Sequence, residues 1–522
     1  MAHGPELPAS VQNGLGWFHL LMFGANLGFG VYQEQVAKNK KTALIWYVVA
    51  AVFLLHAGSY FLHLGFPTLP QWFKDLSNEG IQRALITLDM PPGLPGAGAQ
   101  TTNDYVTLGV QVLLGLSLLL WAMDALTGYL VPAMALPFRK LFGGMPLHER
   151  MVMWWLIVSV LMVVFAGTGA VTYFVLSNAL FVAALVWRGT LTKPNVAWGV
   201  LMITVLLGLW SMTDENFRLI ITKPDNVPIV FLAFTVAFFT WLALRRAVLN
   251  DERIERNEPV MEKEEDEKVL VWPDLVYTEL ICMVVVTVLL VVWSVALPAP
   301  LEQPAASAKT PNPSKAPWYF LGLQEMLVYY DPWLAGVVFP TIIIVGLIAI
   351  PYIDYNQKGN GYYTYKQRPF AIINFLFGFI VLWVVLIFLG TFLRGPNWNF
   401  FGLYERWDVH KTVPLNNVNL SDFFWVRGLG TVWEHPANDV SLFVILMREL
   451  PGFLLVIGYF LFLPPLLART VLRTYFLKMG FIRYIILVML ILTMLSLPIK
   501  MVLRWTISLK YLVAIPEYSF HI

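Results

Sequence analysis

The chain has 522 residues, of which 58% are hydrophobic and 13% are charged, and its mean hydropathy is +0.66. A soluble domain carries about a quarter charged residues, so this composition excludes a soluble globular protein. It predicts an all-α, polytopic integral membrane protein surrounded by membrane lipid. The net charge of +2 gives no reason to expect a nucleic-acid partner, and we predict none.

Cys282 is the only cysteine. A single thiol excludes an internal disulfide framework, an iron–sulfur cluster held by several cysteines and a paired-thiol metal site. The chain contains no Cys-x-x-Cys-His sequence, which excludes a covalently attached c-type haem of the usual kind. The first residues, Met1 to Asn13, are polar without a basic start, so we predict no cleavable signal peptide.

Apolar runs recur along the whole chain, and a helix needs about 20 such residues to cross the hydrocarbon. We predict about 12 transmembrane helices, at 15–33, 43–65, 104–134, 150–168, 170–188, 196–213, 227–247, 270–297, 334–352, 370–393, 452–468 and 482–503. If the N-terminus lies outside, every basic cluster falls into an inside loop, as the positive-inside rule requires. We therefore predict a bacterial cytoplasmic membrane protein with both termini on the outer, positive side.

This orientation places two long connecting segments, 298–333 and 394–450, on the outer side. The second is rich in aromatic side chains: Trp398, Phe400, Phe401, Trp407, Phe423, Phe424, Trp425 and Trp433. Such content predicts a segment that lies along the membrane interface or packs on a partner, and a solvated loop is the alternative.

The predicted organisation has four parts. Residues 1–248 form an N-terminal membrane module of about seven helices, without haem and with a structural or subunit-docking role. Residues 249–268 are a run of charges that predicts a cytoplasmic linker, either a solvated connector or a partner-docking arm. Residues 269–395 form a three-helix module. Residues 396–522 comprise the outer aromatic segment and two additional transmembrane helices.

The segment 309–333 combines proline, tryptophan and tyrosine at a density that neither a water-exposed loop nor a membrane span normally shows. The motifs in and around it are Trp272-Pro273-Asp274-Leu275, Pro300-Leu301-Glu302, Pro304, Pro311-Asn312-Pro313, Pro317-Trp318-Tyr319-Phe320, Ile350-Pro351-Tyr352-Ile353-Asp354 and Arg368-Pro369. In their order and spacing, residues from about 270 to 395 resemble the C-terminal part of cytochrome b, equivalently subunit IV of bc- and bf-type complexes.

The resemblance implies that this loop lines a quinol-oxidising pocket at the positive face. A lipid-soluble ring needs apolar and aromatic walls, and an ionisable side chain must accept its proton and release it outward. The residues we predict to bind quinol are Pro317, Trp318, Tyr319, Phe320, Tyr329 and Tyr330.

The chain departs from the family's Pro-Glu-Trp-Tyr motif, in which the glutamate accepts a proton. Here the sequence is Ala316-Pro317-Trp318-Tyr319, so proline takes the glutamate's place. The nearest downstream carboxylate, Glu325, lies seven residues past Trp318, which is two turns and about 10 Å if the segment is helical. We predict that Glu325 takes over the proton-acceptor role. The alternatives are that it pairs with a subunit or caps a helix, or that the pocket is degenerate.

The haem ligands that the family resemblance would imply are missing. Cytochrome b holds two haems with four histidines, in pairs about 14 residues or 20 Å apart along a helix. Of the eight histidines here, only His19, His56 and His63 fall within predicted spans. We therefore predict no haem or other metal in this chain and a haem b on a partner subunit. One haem held by His19 with His56 or His63 is the alternative.

These features together predict a membrane subunit of a bacterial quinol:cytochrome c oxidoreductase of the bc/bf type, or complex III, which is not catalytic alone. The resemblance implies menaquinone or ubiquinone as the cofactor. It also implies a haem-bearing cytochrome b subunit, a Rieske iron–sulfur protein and a cytochrome c as partners. A non-catalytic anchoring subunit of a respiratory complex and a haem-b-binding membrane subunit of a quinol dehydrogenase are the alternatives.

Overall fold

In the part of the chain that the structure describes, the fold is built from long helices and one small β-hairpin. A computed structural model describes residues 7–62, 69–71, 73–74, 77, 145–166, 169–265, 268–296, 304, 306–308, 310–359, 361–411, 417–431 and 441–522. The main helices are α1 (Ala9–Gln35), α2 (Lys40–Phe61), α3 (Leu147–Ala166), α4 (Ala170–Val186), α5 (Pro194–Ser211), α6 (Val227–Glu255), α7 (Val271–Ala296), α8 (Trp318–Met326), α9 (Leu334–Ile353), α10 (Pro369–Leu393), α11 (Leu450–Arg469) and α12 (Phe481–Ile507).

Shorter elements connect these helices. Brief helical turns occupy Arg188–Leu191, Glu215–Ile221, Met261–Glu264, Pro396–Trp398, Asp422–Gly428, Leu442–Arg448, Arg473–Met479 and Pro516–Tyr518. The strands β1 (Ala514–Ile515) and β2 (Phe520–His521) pair antiparallel near the C-terminus.

The prediction of an all-α polytopic membrane protein is confirmed. Within the described part of the chain, nine helices are long and apolar enough to cross a membrane. Every predicted span coincides with a helix except 104–134, which lies outside the described residues. Several helices run past the predicted boundaries because a span ends where polar residues begin, whereas a helix continues as long as its residues tolerate helical geometry.

In the N-terminal module, α1 and α2 pack against each other and α5 joins them. The packed face of α2 carries buried residues three or four positions apart, from Ala43 and Trp46 to Ala57 and Tyr60. On α1, the fully buried Asn26 donates its amide to Met202 Sδ at 3.1 Å and accepts from Trp198 Nε1 at 3.0 Å. Such polar contacts between helices stabilise packing inside a membrane.

The charged segment 249–268 is more ordered than a simple connector. Its first residues continue α6 to Glu255, and the chain then folds back. The buried Asn250 amide donates to Glu262 at 2.7 Å and to the Tyr363 carbonyl at 2.9 Å, and its oxygen accepts from the Met261 amide at 2.9 Å. The segment therefore ties the N-terminal module to the loop between α9 and α10.

The C-terminal core lies around α8, α9, α10 and α12, and α4 of the N-terminal module packs against it. Phe174 of α4 contacts Trp505 of α12 edge to face, with ring centroids 5.9 Å apart. A second junction lies at the ends of the helices, where Ser211 Oγ and Tyr404 Oη are 2.8 Å apart. The N-terminal module thus contacts the core both along the helices and at one end.

Candidate functional site

The proline-rich loop is held in place by the helix that follows it. Pro317 precedes α8, and Gln324, one and a half turns into that helix, reaches back to the loop. Its Oε1 accepts from the Ala316 amide at 2.7 Å, and its Nε2 donates to the Ser314 carbonyl at 2.8 Å. These bonds satisfy backbone groups that proline-rich sequence cannot pair by itself.

The same loop is also attached to the segment after α10. The Asn312 side chain donates to Asn397 Oδ1 at 2.9 Å and accepts from the Asn397 amide at 2.7 Å. Lys315 Nζ donates to the Thr391 carbonyl at 2.8 Å and lies 4.8 Å from the ring centre of Trp407. The loop and the outer segment therefore form one packed unit.

Helix α8 lies on α10 along a narrow face. Leu321, Gly322, Glu325 and Met326 are its buried residues, a pattern one helical turn apart. Leu321 fits against Gly390, where a methyl group would lie only 2.9 Å from Leu321 Cγ. The absence of a side chain at Gly390 thus permits the close approach of the two helices.

Glu325 lies at the centre of this unit and is completely buried. Arg394, at the end of α10, donates Nη2 to Glu325 Oε1 at 2.7 Å and Nε to Oε2 at 3.1 Å. Tyr329 Oη donates to Oε1 at 3.0 Å, and Trp398 Nε1 donates to Oε2 at 3.2 Å. Four donors thus occupy about all the acceptor positions that an ionised carboxylate offers.

The electrostatics of this cluster keep its partners in the donor form. Burial, followed by the negative charge of Glu325, raises the pKa of Tyr329 well above its usual value. Burial alone would lower the pKa of Arg394, but the Glu325 carboxylate outweighs it and the pKa is raised. A proton added to Glu325 would displace a donor and leave the Arg394 charge buried without its partner.

A known family matches the part of the chain that contains the proline-rich loop, α8 and the residues after α10. Residues 304–405 match the family model described as cytochrome b(C-terminal)/b6/petD. The match indicates a membrane subunit of a bc- or b6f-type complex with a quinone-related role in electron transport. No solved structure matches the chain.

The matched range, 304–405, differs from the range of about 270–395 over which the sequence motifs resemble this family. The cytochrome b C-terminal region begins after α7, within the loop, and extends past α10 to Glu405. It therefore contains Trp398 and Arg394, both of which contact Glu325. The prediction that residues 269–395 form a three-helix module stays a prediction.

Within the cytochrome b C-terminal region, the residues predicted to bind quinol fall into two groups. Trp318, Tyr319 and Phe320 are 40, 50 and 52% exposed and form a contiguous aromatic surface with Pro317 at its edge. Tyr329 and Tyr330 are buried in the core, where Tyr330 Oη donates to Ser496 Oγ at 2.8 Å. The first group therefore lies at the surface, whereas Tyr329 of the second group contacts the buried Glu325.

A cavity of about 290 Å³ lies elsewhere, beside the C-terminal tail. Most of the residues that line it are of polar type, among them Arg448, Glu449, Lys510, Tyr511 and His521. None of the residues predicted to bind quinol lines it.

Parts of the aromatic segment 394–450 pack on the rest of the protein and do not extend into solvent. Phe401 is completely buried, and Trp425 Nε1 donates to the Arg448 carbonyl at 2.9 Å. Phe424 is 47% exposed, and Trp433 lies outside the described residues.

Two of the three weak haem candidates contact each other. His19 and His56 meet edge to face, with ring centroids 5.4 Å apart, and His19 Nδ1 lies 2.7 Å from the Leu15 carbonyl oxygen. The two rings are in direct contact at this distance, so a porphyrin does not fit between them in this arrangement. His63 lies outside the described residues.

Sequence reasoning missed Arg394 and Lys315. A cation directly after an apolar run is typical of a span end, and nothing in the sequence connects Arg394 to a glutamate 69 positions earlier. Lys315 stands in a proline-rich loop, where a lysine is normally solvated. Its position two residues before Pro317 was the available signal.

Lys315 should make the stability of the protein depend on pH. Burial lowers its pKa from 10.5 to about 7, and repulsion from Lys223 acts in the same direction. The unfolded chain then binds more protons than the folded chain between about pH 7 and 10, so stability should rise across this window by up to about 1.4 kcal/mol per pH unit. Denaturation of the purified chain in detergent at several pH values measures this slope.

The variant Lys315→Gln should have a shallower slope between pH 7 and 10. Lys358→Gln, at an exposed position in the loop between α9 and α10, is the matched control and should retain the slope of the original protein. Parallel slopes for Lys315→Gln and the original protein would show that Lys315 is charged in the folded state.

Proposed function

We propose that this chain is the membrane subunit of a bacterial quinol:cytochrome c oxidoreductase that forms part of the quinol-oxidising site on the positive side of the membrane. The observation that carries the proposal is the exposed aromatic surface of α8, within the region that matches the cytochrome b C-terminal family. An exposed surface of three aromatic rings next to apolar spans suits a lipid-soluble ring that arrives from the membrane.

The surface is rigid, which favours binding. Pro317 limits the backbone before α8, and Gln324 holds the preceding loop by two hydrogen bonds. Leu321 and Glu325 attach the helix to α10 and Arg394. A quinol that contacts Trp318 and Phe320 therefore pays little to order the protein.

The reaction of a quinol in this site releases two electrons and two protons and yields a quinone. The chain has no redox metal of its own in this proposal. The electrons pass to partner subunits, one a Rieske iron–sulfur protein that leads to a cytochrome c, and the other a cytochrome b subunit with haem b. Menaquinone and ubiquinone both have the required ring.

The assignment of Glu325 as proton acceptor remains a hypothesis with a clear physical requirement. Since four donors already hold the carboxylate, proton uptake requires Arg394 or Trp398 to move when quinol binds. A general base at the right position accelerates a proton transfer by about 10²–10⁴-fold. Glu325→Gln in the native complex should therefore lower quinol-dependent cytochrome reduction by at least this lower factor and change its pH profile. Unchanged turnover would remove the proton role.

The binding surface is tested with a photoreactive quinone in membranes that contain the native complex. We expect labelling on the peptide that includes Trp318–Phe320. Trp318→Ala should weaken labelling and raise the apparent KM for quinol about two- to tenfold, the range of one aromatic contact. Trp272→Ala, at an exposed tryptophan on α7, is the matched control and should change neither. Labelling that is independent of Trp318 would contradict the proposal.

An anchoring subunit without quinol chemistry is the second candidate. The saturated hydrogen bonding of Glu325 favours it, because a fully paired carboxylate can serve a purely structural purpose. In that case the complex should bind no photoreactive quinone at α8, while loss of the Glu325–Arg394 pair should still destabilise the chain.

A further inference from the structure

The connector between α11 and α12, residues 469–483, combines cations with exposed apolar side chains. It contains the short helix Arg473–Met479 and joins the ends of two candidate membrane spans. We propose that this connector binds the phosphate headgroups of anionic phospholipids at the membrane–water boundary. The proposal does not depend on the quinol site.

The connector carries four cations and no acidic residue. Arg469, Arg473, Lys478 and Arg483 lie in the connector, and the sequence has no Asp or Glu between Glu449 and Glu517. Within the described part of the chain, none of the four forms an ion pair with a carboxylate. Asp354 in the neighbouring loop is already paired with Arg368. The connector thus has a surplus of positive charge that no carboxylate among the described residues pairs with.

Large apolar side chains stand between these cations and are exposed. Val471 is 80%, Leu477 70%, Phe481 68% and Ile482 73% exposed. Such side chains are stable at a membrane boundary, where acyl chains cover them while neighbouring Arg and Lys reach the headgroups. A surface in contact with water alone would leave these four residues unfavourably hydrated.

Aromatic side chains beside the connector fit the same location. Tyr475 of the connector packs against Phe370 at the start of α10, with ring centroids 4.5 Å apart, and against Tyr355 at 5.5 Å. Lys478 Nζ lies 5.5 Å from the ring centre of Tyr355. Tyrosines with both an apolar ring and a polar end are typical of the headgroup level of a membrane.

Each basic residue close to an anionic surface strengthens binding by about fivefold at low salt. The double variant Arg473→Gln/Lys478→Gln leaves Arg469 and Arg483 to maintain orientation. We expect it to bind phosphatidylglycerol about ten- to thirtyfold more weakly than the original chain. The full chain, delipidated in neutral detergent, is titrated with phosphatidylglycerol, and bound lipid is counted by native mass spectrometry.

Two control variants and a neutral lipid accompany this titration. The control Arg253→Gln/Arg256→Gln removes two cations that pair with Glu264 and Glu258, and should retain the original affinity. Arg473→Lys should also retain it, and phosphatidylcholine should bind more weakly to the original chain than phosphatidylglycerol does. Equal phosphatidylglycerol binding by Arg473→Gln/Lys478→Gln and the original chain would overturn the proposal. Displacement of the lipid by millimolar inorganic phosphate would also overturn it, because it would identify a free-anion site.

Discussion

Replacement of Arg394 by methionine should destabilise the protein by about 3–5 kcal/mol, since removal of one partner of a buried ion pair leaves the other charge uncompensated. Glu325 would bear the full cost of the missing partner, because it is completely buried and solvent cannot compensate its charge. After the substitution, Tyr329 and Trp398 would remain as its donors, and neither carries a positive charge. We expect a clear fall in the denaturation midpoint of the purified chain in detergent.

The double variant Arg394→Met/Glu325→Gln should recover a large part of the lost stability, because a neutral amide has no charge to compensate. Arg256→Met is the matched control. Arg256 pairs with Glu258 at 3.1 Å on the exposed part of the charged linker, so its loss should change stability little. An equal effect of Arg394→Met and Arg256→Met, or no recovery in the double variant, would show that the Glu325–Arg394 pair does not hold α8 in place.

Gly452→Ala should release the C-terminal tail from α11. A Cβ at this position would overlap the carbonyl oxygen of Leu512 and lie 2.9 Å from Val513 Cγ2. A backbone carbonyl cannot rotate away as a side chain can, so the tail itself must move, at a cost at the upper end of about 1–3 kcal/mol. Hydrogen exchange and limited proteolysis should show loss of protection in residues 509–522.

This displacement should extend to the turn between α8 and α9. The tail holds that turn through Trp333, whose Nε1 donates to the His521 carbonyl at 3.1 Å and whose ring stacks on Phe520. Gly458→Ala is the matched control in the same helix, because the nearest atom to its added methyl is 3.8 Å away. That variant should be slightly stabilised by the helix propensity of alanine. A protected tail in Gly452→Ala would contradict the observed packing.

The helices and the importance of the proline-rich loop could be predicted from the sequence because both depend on local composition. A run such as 270–297 has to be helical in lipid, since nothing else there can satisfy its backbone groups. The high density of Pro, Trp and Tyr in 309–333 is likewise a property of consecutive residues and can be read directly from the sequence. The structure shows that the segment from Trp318 to Glu325 is helical, which was the condition for the predicted spacing of two turns.

The partners of these residues could not be predicted in the same way. The Glu325–Arg394 pair joins residues 69 positions apart, and each has an ordinary local context. The charge run 249–268 looked like a connector because the contacts of Asn250, which reach as far as the Tyr363 carbonyl, leave no local pattern. The separation of Trp318 and Tyr319 from Tyr329 and Tyr330 likewise depends on how α8 rests on α10.

By itself, the sequence determined that this is a helical membrane protein and that its proline-rich loop resembles the cytochrome b C-terminal family, because hydropathy and motif order are properties of neighbouring residues. Only the tertiary structure decided which side of α8 is buried, which cation compensates Glu325 and which aromatic rings remain exposed. The physical reason is that burial and charge pairing depend on distances between segments that are remote along the chain.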